Sequence, residues 1–299
     1  MKQLRIKKET IQFFAFTSPW IIGFLLLTLI PMLASLYISF TEWNILNDPI
    51  WVGFANYKDV FTDPLIYKSL KVTFFYCAIS VPMNIILTMI IALLLNSDLK
   101  FAPFLRTVYY LPCVVSGVAS AMLWNWIFNY RYGVLNLWLE KMGVQGPNWI
   151  QDEKWAIYVL IFMNLWGLGG SITMYLAGLQ AVPKNLMEAA KMAGAGWWQR
   201  FWHITIPSMS PLLIFAFLTG VIGGLQSFTS SYLITAGGPN NSTMFYALYL
   251  YNNAFSYRKM GKACAMAWLL FVFIFVLSRL ILLVSRKMVY YENEEGGNL

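Results

Sequence analysis

Glu188-Ala189-Ala190-Lys191-Met192-Ala193-Gly194-Ala195-Gly196, continued by Trp197-Trp198-Gln199-Arg200-Phe201-Trp202-His203-Ile204-Thr205-Ile206-Pro207, is a polar, charged stretch between two long apolar runs. Pro183 is placed to open a short helix that carries Glu188, Ala189 and Ala190. Gly194 and Gly196 break that helix, because glycine supplies the backbone freedom a bend needs. A second short helix, rich in Trp, follows and is expected to stop before Pro207, since helices do not run freely through proline. Small residues on the first helix allow close backbone approach, and the Glu188 carboxylate can pair with a basic group of a partner. Trp197, Trp198, Phe201 and Trp202 supply large aromatic anchors of the kind that dominate interfaces. An amphipathic helix lying on a lipid surface would have the same composition. These residues alone leave both readings open.

Working outward, the 299 residues are 59% hydrophobic and only 11% charged. Soluble domains carry about 25% charged residues, so the composition points to a membrane protein. The net charge of +8 does not indicate nucleic-acid binding. No Lys/Arg stripe is interleaved with stacking aromatics, and membrane proteins hold Lys and Arg in their cytoplasmic loops. Cys77, Cys113 and Cys264 lie in apolar segments without metal-ligand spacing, so they read as small buried side chains. His203 is the single histidine, which argues against a His-based catalytic or metal centre.

Six apolar stretches, free of charge except for Arg279 near the end of the last, are long enough to span a bilayer, which takes roughly 20 residues. They run over about 16–37, 72–96, 107–129, 155–179, 211–233 and 263–284. The first follows a basic start (Lys2, Arg5, Lys7, Lys8) and is far longer than a signal-peptide core, so it reads as a retained membrane helix. The same four charges set the N-terminus inside, because the first helix usually dominates orientation. Twelve Lys and Arg residues then fall inside and nine outside. Both termini and the Glu188–Pro207 loop are expected in the cytoplasm. The outer loops 41–71, 130–154 and 234–262 are short and read as packed caps. The last contains the basic cluster Arg258, Lys259 and Lys262, which suits a docking patch or an anionic sugar equally.

The central loop reads Glu188-Ala189-Ala190, then Gly194, then Ile204 and Ile206-Pro207. That spacing resembles the signature loop of permease subunits of binding-protein-dependent ABC importers, in the sugar-uptake branch of maltose-type permeases. Further elements carry the likeness along almost the whole chain: Thr17-Ser18-Pro19, Phe40-Thr41-Glu42-Trp43, Val52-Gly53-Phe54-Ala55-Asn56-Tyr57, Arg106 with Leu111-Pro112, Gly237-Gly238-Pro239 and Gly261-Lys262-Ala263. Ala193 stands where the family usually has Asp, and Ile206 where it usually has Leu.

The resemblance implies an all-α, polytopic protein with six transmembrane helices and a cytoplasmic helix–turn–helix coupling loop at 183–207. Its organisation would be a cytoplasmic segment 1–10, a single transmembrane permease domain 11–289 and a cytoplasmic tail 290–299. The loop would seat in a cleft of a cytoplasmic ATPase through Glu188, Ala189, Ala190, Gly194, Ala195, Phe201, Ile204 and Pro207. The implied partners are a second homologous permease in a heterodimer, two ATPase subunits that bind ATP and Mg, an extracytoplasmic substrate-binding protein and the lipid of the bacterial inner membrane. The chain itself has no Gly-x4-Gly-Lys-Ser/Thr phosphate loop. It would hold no cofactor and perform no chemistry.

In such permeases the transport path runs beside the middle of two spans. Here those places read Asn164-Leu165-Trp166-Gly167-Leu168-Gly169-Gly170-Ser171 and Thr219-Gly220-Val221-Ile222-Gly223-Gly224-Leu225-Gln226-Ser227. Asn164, Trp166, Gly167, Gly170, Gly223, Gly224, Gln226 and Ser227 are the expected pathway residues. A sugar needs an aromatic face for its CH side and neutral groups for its hydroxyls, which Trp166, Asn164, Gln226 and Ser227 can offer. Glycines at these places either widen a cavity for an oligosaccharide or let helices pack closely. An ion-coupled secondary transporter would want acids or His within the spans, and none lies at their centres. A membrane enzyme would need a cluster of such groups at one face, and none is seen.

Overall fold

The computed structural model describes residues 2–97 and 100–285, and almost all of its regular structure is helix. The expected tail 290–299, with Arg286 and Lys287, lies outside the described residues. Four helices are long and apolar enough to cross a membrane: Glu9–Ser39, Pro64–Leu95, Trp197–Leu225 and Met260–Ser285. Two bent pairs bring the number to six if each pair is one span. Many large apolar side chains are exposed, such as Phe271, Phe275, Leu280 and Leu283 on the last helix. Surfaces of that kind are stable against lipid, not water.

The chain divides into two compact units. One takes in residues up to Asp63 together with Leu250–Val272, and the other takes Pro64–Tyr249 with the described residues from Phe273 on.

In the first unit, helix α1 runs over 2–39 and contains a π-turn at Leu25–Leu29. The wide turn ends two residues before Pro31, with the Ile30 N–H bonded to the Leu25 carbonyl. A short antiparallel pair follows, β1 (Thr41–Glu42) and β2 (Ile50–Trp51), and then α2 (Ala55–Thr62). Asn56 Nδ2 donates to the carbonyls of Ser39 at 2.9 Å and Thr41 at 2.8 Å. These bonds satisfy the end of α1. The Tyr57 hydroxyl meets that of Ser39 at 2.8 Å. Helix α12 (Met260–Ser285) begins against the same corner, where the Met260 N–H donates to the Trp43 carbonyl at 2.9 Å. Any Cβ at position 261 would collide with the Thr41 carbonyl and the Asn56 amide, so only glycine fits there. Three elements far apart in sequence thus close one cap.

The second unit is built on α3 (Pro64–Leu95). It continues through α4 (Ala102–Val114), α5 (Gly117–Ile127), α6 (Val134–Lys141), α7 (Ala156–Asn164), a 3-10 turn (Leu165–Gly167), α8 (Gly169–Gln180), α9 (Lys184–Met192), α10 (Trp197–Leu225) and α11 (Tyr246–Tyr251). Leu168, Ile172, Tyr175, Leu176 and Leu179 form an i, i+4, i+7, i+8, i+11 stripe on and just before α8. That stripe packs with Met89, Ala92 and Leu95 of α3 and Met209 of α10. Arg106 Nη2 donates to the Leu95 carbonyl at 3.1 Å and so closes the C-terminal end of α3.

Three expectations change. The third apolar run is two helices bent by 100°. Pro112 lies two residues before α4 ends, Val115 and Ser116 are extended, and the Ser116 hydroxyl caps α5 by accepting from the Ala119 N–H at 3.3 Å. The fourth run bends by 52° at Leu168, between Gly167 and Gly169. The Trp-rich helix does not stop before Pro207 but runs on into the fifth span as α10. A π-turn at Phe201–Thr205 makes this possible, as the one before Pro31 does in α1. Proline has no N–H and crowds the carbonyl four residues back. The wider π-turn eases that carbonyl aside.

Candidate functional site

Two cavities adjoin in the middle of the second unit. One, of about 390 Å³, is lined by Tyr76, Ser80, Asn84, Asn164, Ser171, Thr219, Gly223, Gly224 and Ser227 among others. The next, of about 450 Å³, is lined by Tyr76, Ser120, Asn164, Trp166, Gly167, Gln226, Ser227 and Thr229 among others. They share Tyr76, Asn164 and Ser227. Seven of the eight expected pathway residues therefore come together. Gly170 is exposed and lines neither cavity. The 3-10 turn at Leu165–Gly167 and the end of α10 at Leu225 bring the two sequence segments to one place.

The glycines divide by role. A Cβ at Gly167 or Gly223 would meet nothing within 4 Å. At Gly224 it would stand 2.9 Å from Cys77 Sγ, and at Gly220 3.0 Å from Val81 Cγ1. Gly167 and Gly223 thus open onto the cavity, whereas Gly220 and Gly224 let α10 lie close to α3. Accordingly, Gly223→Ala should leave stability intact or raise it slightly, and Gly224→Ala should lower it. We expect the two variants to separate by about 2 kcal/mol, combining helix propensity with overpacking. The thermal midpoints of the detergent-solubilised chain would read the difference, and equal midpoints would contradict this division.

Tyr76, Ser80 and Asn84 of α3 complete the lining and were not among the expected pathway residues. A signal was present. Tyr76, Ser80, Asn84 and Thr88 recur every fourth residue, a polar stripe along an apolar helix. Asn84 Nδ2 reaches Asn164 Oδ1 at 3.5 Å across the cavity, while Thr88 bonds Asn84 within its own helix.

The central loop has a defined internal geometry. Gly194 has φ +80°, the left-handed region. The Ala195 N–H donates to the Ala190 carbonyl at 2.9 Å and the Gly194 N–H to the Lys191 carbonyl at 3.1 Å. This is a Schellman motif, which satisfies the last carbonyls of a helix and needs glycine at the turning residue. The Ala190, Gly194 and Ala195 positions are therefore set by one hydrogen-bonded turn. Gln199 then caps α10 by accepting from the Gly196 N–H at 2.8 Å. Ala189 and Glu188 are exposed, and among the described residues Glu188 takes part in no ion pair. Trp197, Trp198 and Trp202 are exposed as well. Phe201 turns inward onto the core of α3, α8 and α10, and Ile204 and Pro207 are half-buried within α10. Ala193 ends α9 with its side chain exposed. His203 bonds the Gln199 carbonyl one turn back, at 2.9 Å.

In the first unit the basic cluster Arg258, Lys259 and Lys262 lines one cavity of about 360 Å³. Lys262 is buried and paired with Asp59 at 2.9 Å and Asp63 at 2.8 Å. Its charge is balanced by those two carboxylates, whereas Arg258 and Lys259 are exposed.

Fold and site define a polytopic membrane protein with two adjoining polar cavities and a structured loop that presents small and aromatic residues outward. Residues 66–290 match the family described as "Binding-protein-dependent transport system inner membrane component". The chain belongs to that family, and is a permease subunit of an ABC importer in the inner membrane. It is 40% identical over 301 residues to the probable ABC transporter permease protein YesP of Bacillus subtilis, covering 99% of this chain and 97% of the relative. To the multiple sugar-binding transport system permease protein MsmF of Streptococcus mutans it is 32% identical, over 86% of this chain and 89% of the relative. A solved chain from a bacterial ABC transporter that imports the acidic polysaccharide alginate superposes with a TM-score of 0.86, at 22% identity, covering 97% of this chain and all of that one.

Proposed function

We propose that this chain forms half of the translocation path of an importer for an oligosaccharide. The observation that carries the reading is the pair of adjoining cavities, which set neutral amide and hydroxyl groups beside Trp166. A sugar needs those two kinds of surface. The name of the MsmF relative supports the same substrate class. Residues 11–289 act as one permease domain with both termini in the cytoplasm. A second homologous permease completes the path, and an extracytoplasmic binding protein delivers the substrate to the outer loops. Two ATPase subunits dock on the cytoplasmic side, and one of them seats on α9 and its turn, where Glu188, Ala189, Ala190, Gly194 and Ala195 face outward or shape the turn. ATP and Mg belong to those subunits, and this chain carries out no chemistry.

The complex reconstituted in liposomes tests the reading. ATP hydrolysis should rise when a saccharide-loaded binding protein is added outside, and labelled saccharide should accumulate with it. Accumulation that follows an ion gradient and ignores ATP would instead establish a secondary transporter.

A further inference from the structure

The alginate importer shares this fold, so the fold does not set the charge of the sugar. The cavities do. Every described residue that lines them is uncharged: no Asp, Glu, Lys, Arg or His contributes to either wall. Charged linings occur in this unit only elsewhere. Lys184 and Arg200 line a separate cavity of about 650 Å³ next to the loop, and Arg131 and Glu140 line another beside α6. A carboxylate leaving water for the middle of a membrane protein needs a counter-charge or a dense set of donors. This half of the path offers no counter-charge.

What it offers instead matches hydroxyl groups. The Asn164 amide accepts from Asn84 at the long distance of 3.5 Å, and its own N–H₂ has no partner among the described residues. The Thr219 hydroxyl donates to the Phe215 carbonyl at 2.8 Å, which leaves its oxygen free to accept. Ser227 stands on the wall that the two cavities share, and Gln226 lines the second. Donors and acceptors are therefore mixed, as sugar hydroxyls require, since each hydroxyl both donates and accepts.

We infer that this chain selects a neutral oligosaccharide and disfavours one bearing carboxylates. The inference rests on the reading of the chain as a saccharide permease. It is tested on the reconstituted complex with its own binding protein, using two panels of matched length: neutral trisaccharides and hexuronic-acid trisaccharides. At least one neutral member should stimulate ATP hydrolysis and be taken up, and the hexuronates should be weaker by at least about 100-fold, the scale of an unpaired buried charge. A hexuronate transported as well as the best neutral sugar overturns the inference and leaves the saccharide reading standing. Stimulation by no saccharide at all overturns both.

A second measurement reads charge within this chain, whichever member is carried. Ser227→Asp and Ser227→Lys are compared after co-purification with the ATPase subunits confirms assembly. For a neutral sugar both variants should lose uptake to a similar extent, within about threefold of each other, because neither sign finds a charge to meet. Uptake that survives with Lys and vanishes with Asp identifies an anionic substrate and overturns the inference. That result would also reveal a counter-charge supplied by the partner permease.

Discussion

Gly194→Pro should abolish coupled transport, while the chain still inserts in the membrane. Residue 194 sits at φ +80°, and proline is locked near −65°. The substitution also removes the N–H that bonds the Lys191 carbonyl, and it displaces the Ala195 N–H from the Ala190 carbonyl. A penalty of about 3 kcal/mol lowers the population of the native turn about 100-fold. Gly194→Ala keeps the N–H but pays the left-handed backbone cost of about 1–2 kcal/mol, so an intermediate loss is expected. Gly194→Asn should retain the most function, because asparagine tolerates the left-handed region. The order Gly, Asn, Ala, Pro should appear in saccharide-stimulated ATP hydrolysis and in co-purification of the ATPase subunits. Full activity of the Pro variant would show that the turn does not hold the docking surface. Since the turn is exposed and packs on little, its loss leaves the core of α3, α8 and α10 untouched.

The same turn shows what the sequence discloses and what it conceals. Gly194 as the breaking point of α9 could be read directly, because a glycine after a helix has one common use. The membrane class and the six apolar runs were equally plain, since they depend only on length and composition. The course of the backbone inside those runs was not. Pro112 and Pro207 look alike in sequence, yet the chain bends shortly after one and stays helical through the other. The difference lies in a capping serine beyond Pro112 and a π-turn before Pro207, neither of which follows from apolar periodicity. For the cavity, the segments around Asn164 and Ser227 could be placed by their likeness to a family. The polar stripe with Tyr76 and Ser80 was visible in the sequence, but its place on the cavity wall required tertiary structure, because α3 meets both segments only once α8 and α10 pack against it. Similarly, Lys262 looked like one of three outward cations until Asp59 and Asp63 were seen to surround it.

Lys262 gives the second large expected effect. Its ammonium group is buried between two carboxylates, one on α2 and one immediately after it, at the start of α12. Lys262→Met keeps most of the apolar stem but leaves Asp63, itself largely covered, facing a side chain that cannot pair with it. Breaking a buried pair costs about 3–5 kcal/mol. The lower end applies here, because the Asp59 side chain is 53% exposed and can be hydrated when its partner goes. The thermal midpoint of the solubilised chain should fall accordingly. Adding Asp63→Asn to Lys262→Met should recover part of the loss, since the carboxylate that Lys262 balanced is then neutral. Asp59→Asn alone should cost much less, as exposed ion pairs contribute about 0–1 kcal/mol. If Lys262→Met melts like the parent, the pairs contribute nothing to this corner. If instead the double variant melts below Lys262→Met, the loss comes from Lys packing and not from the charge on Asp63. Gly261 must remain glycine throughout, because the close approach of α12 to the Thr41 carbonyl brings Lys262 within reach of both acids.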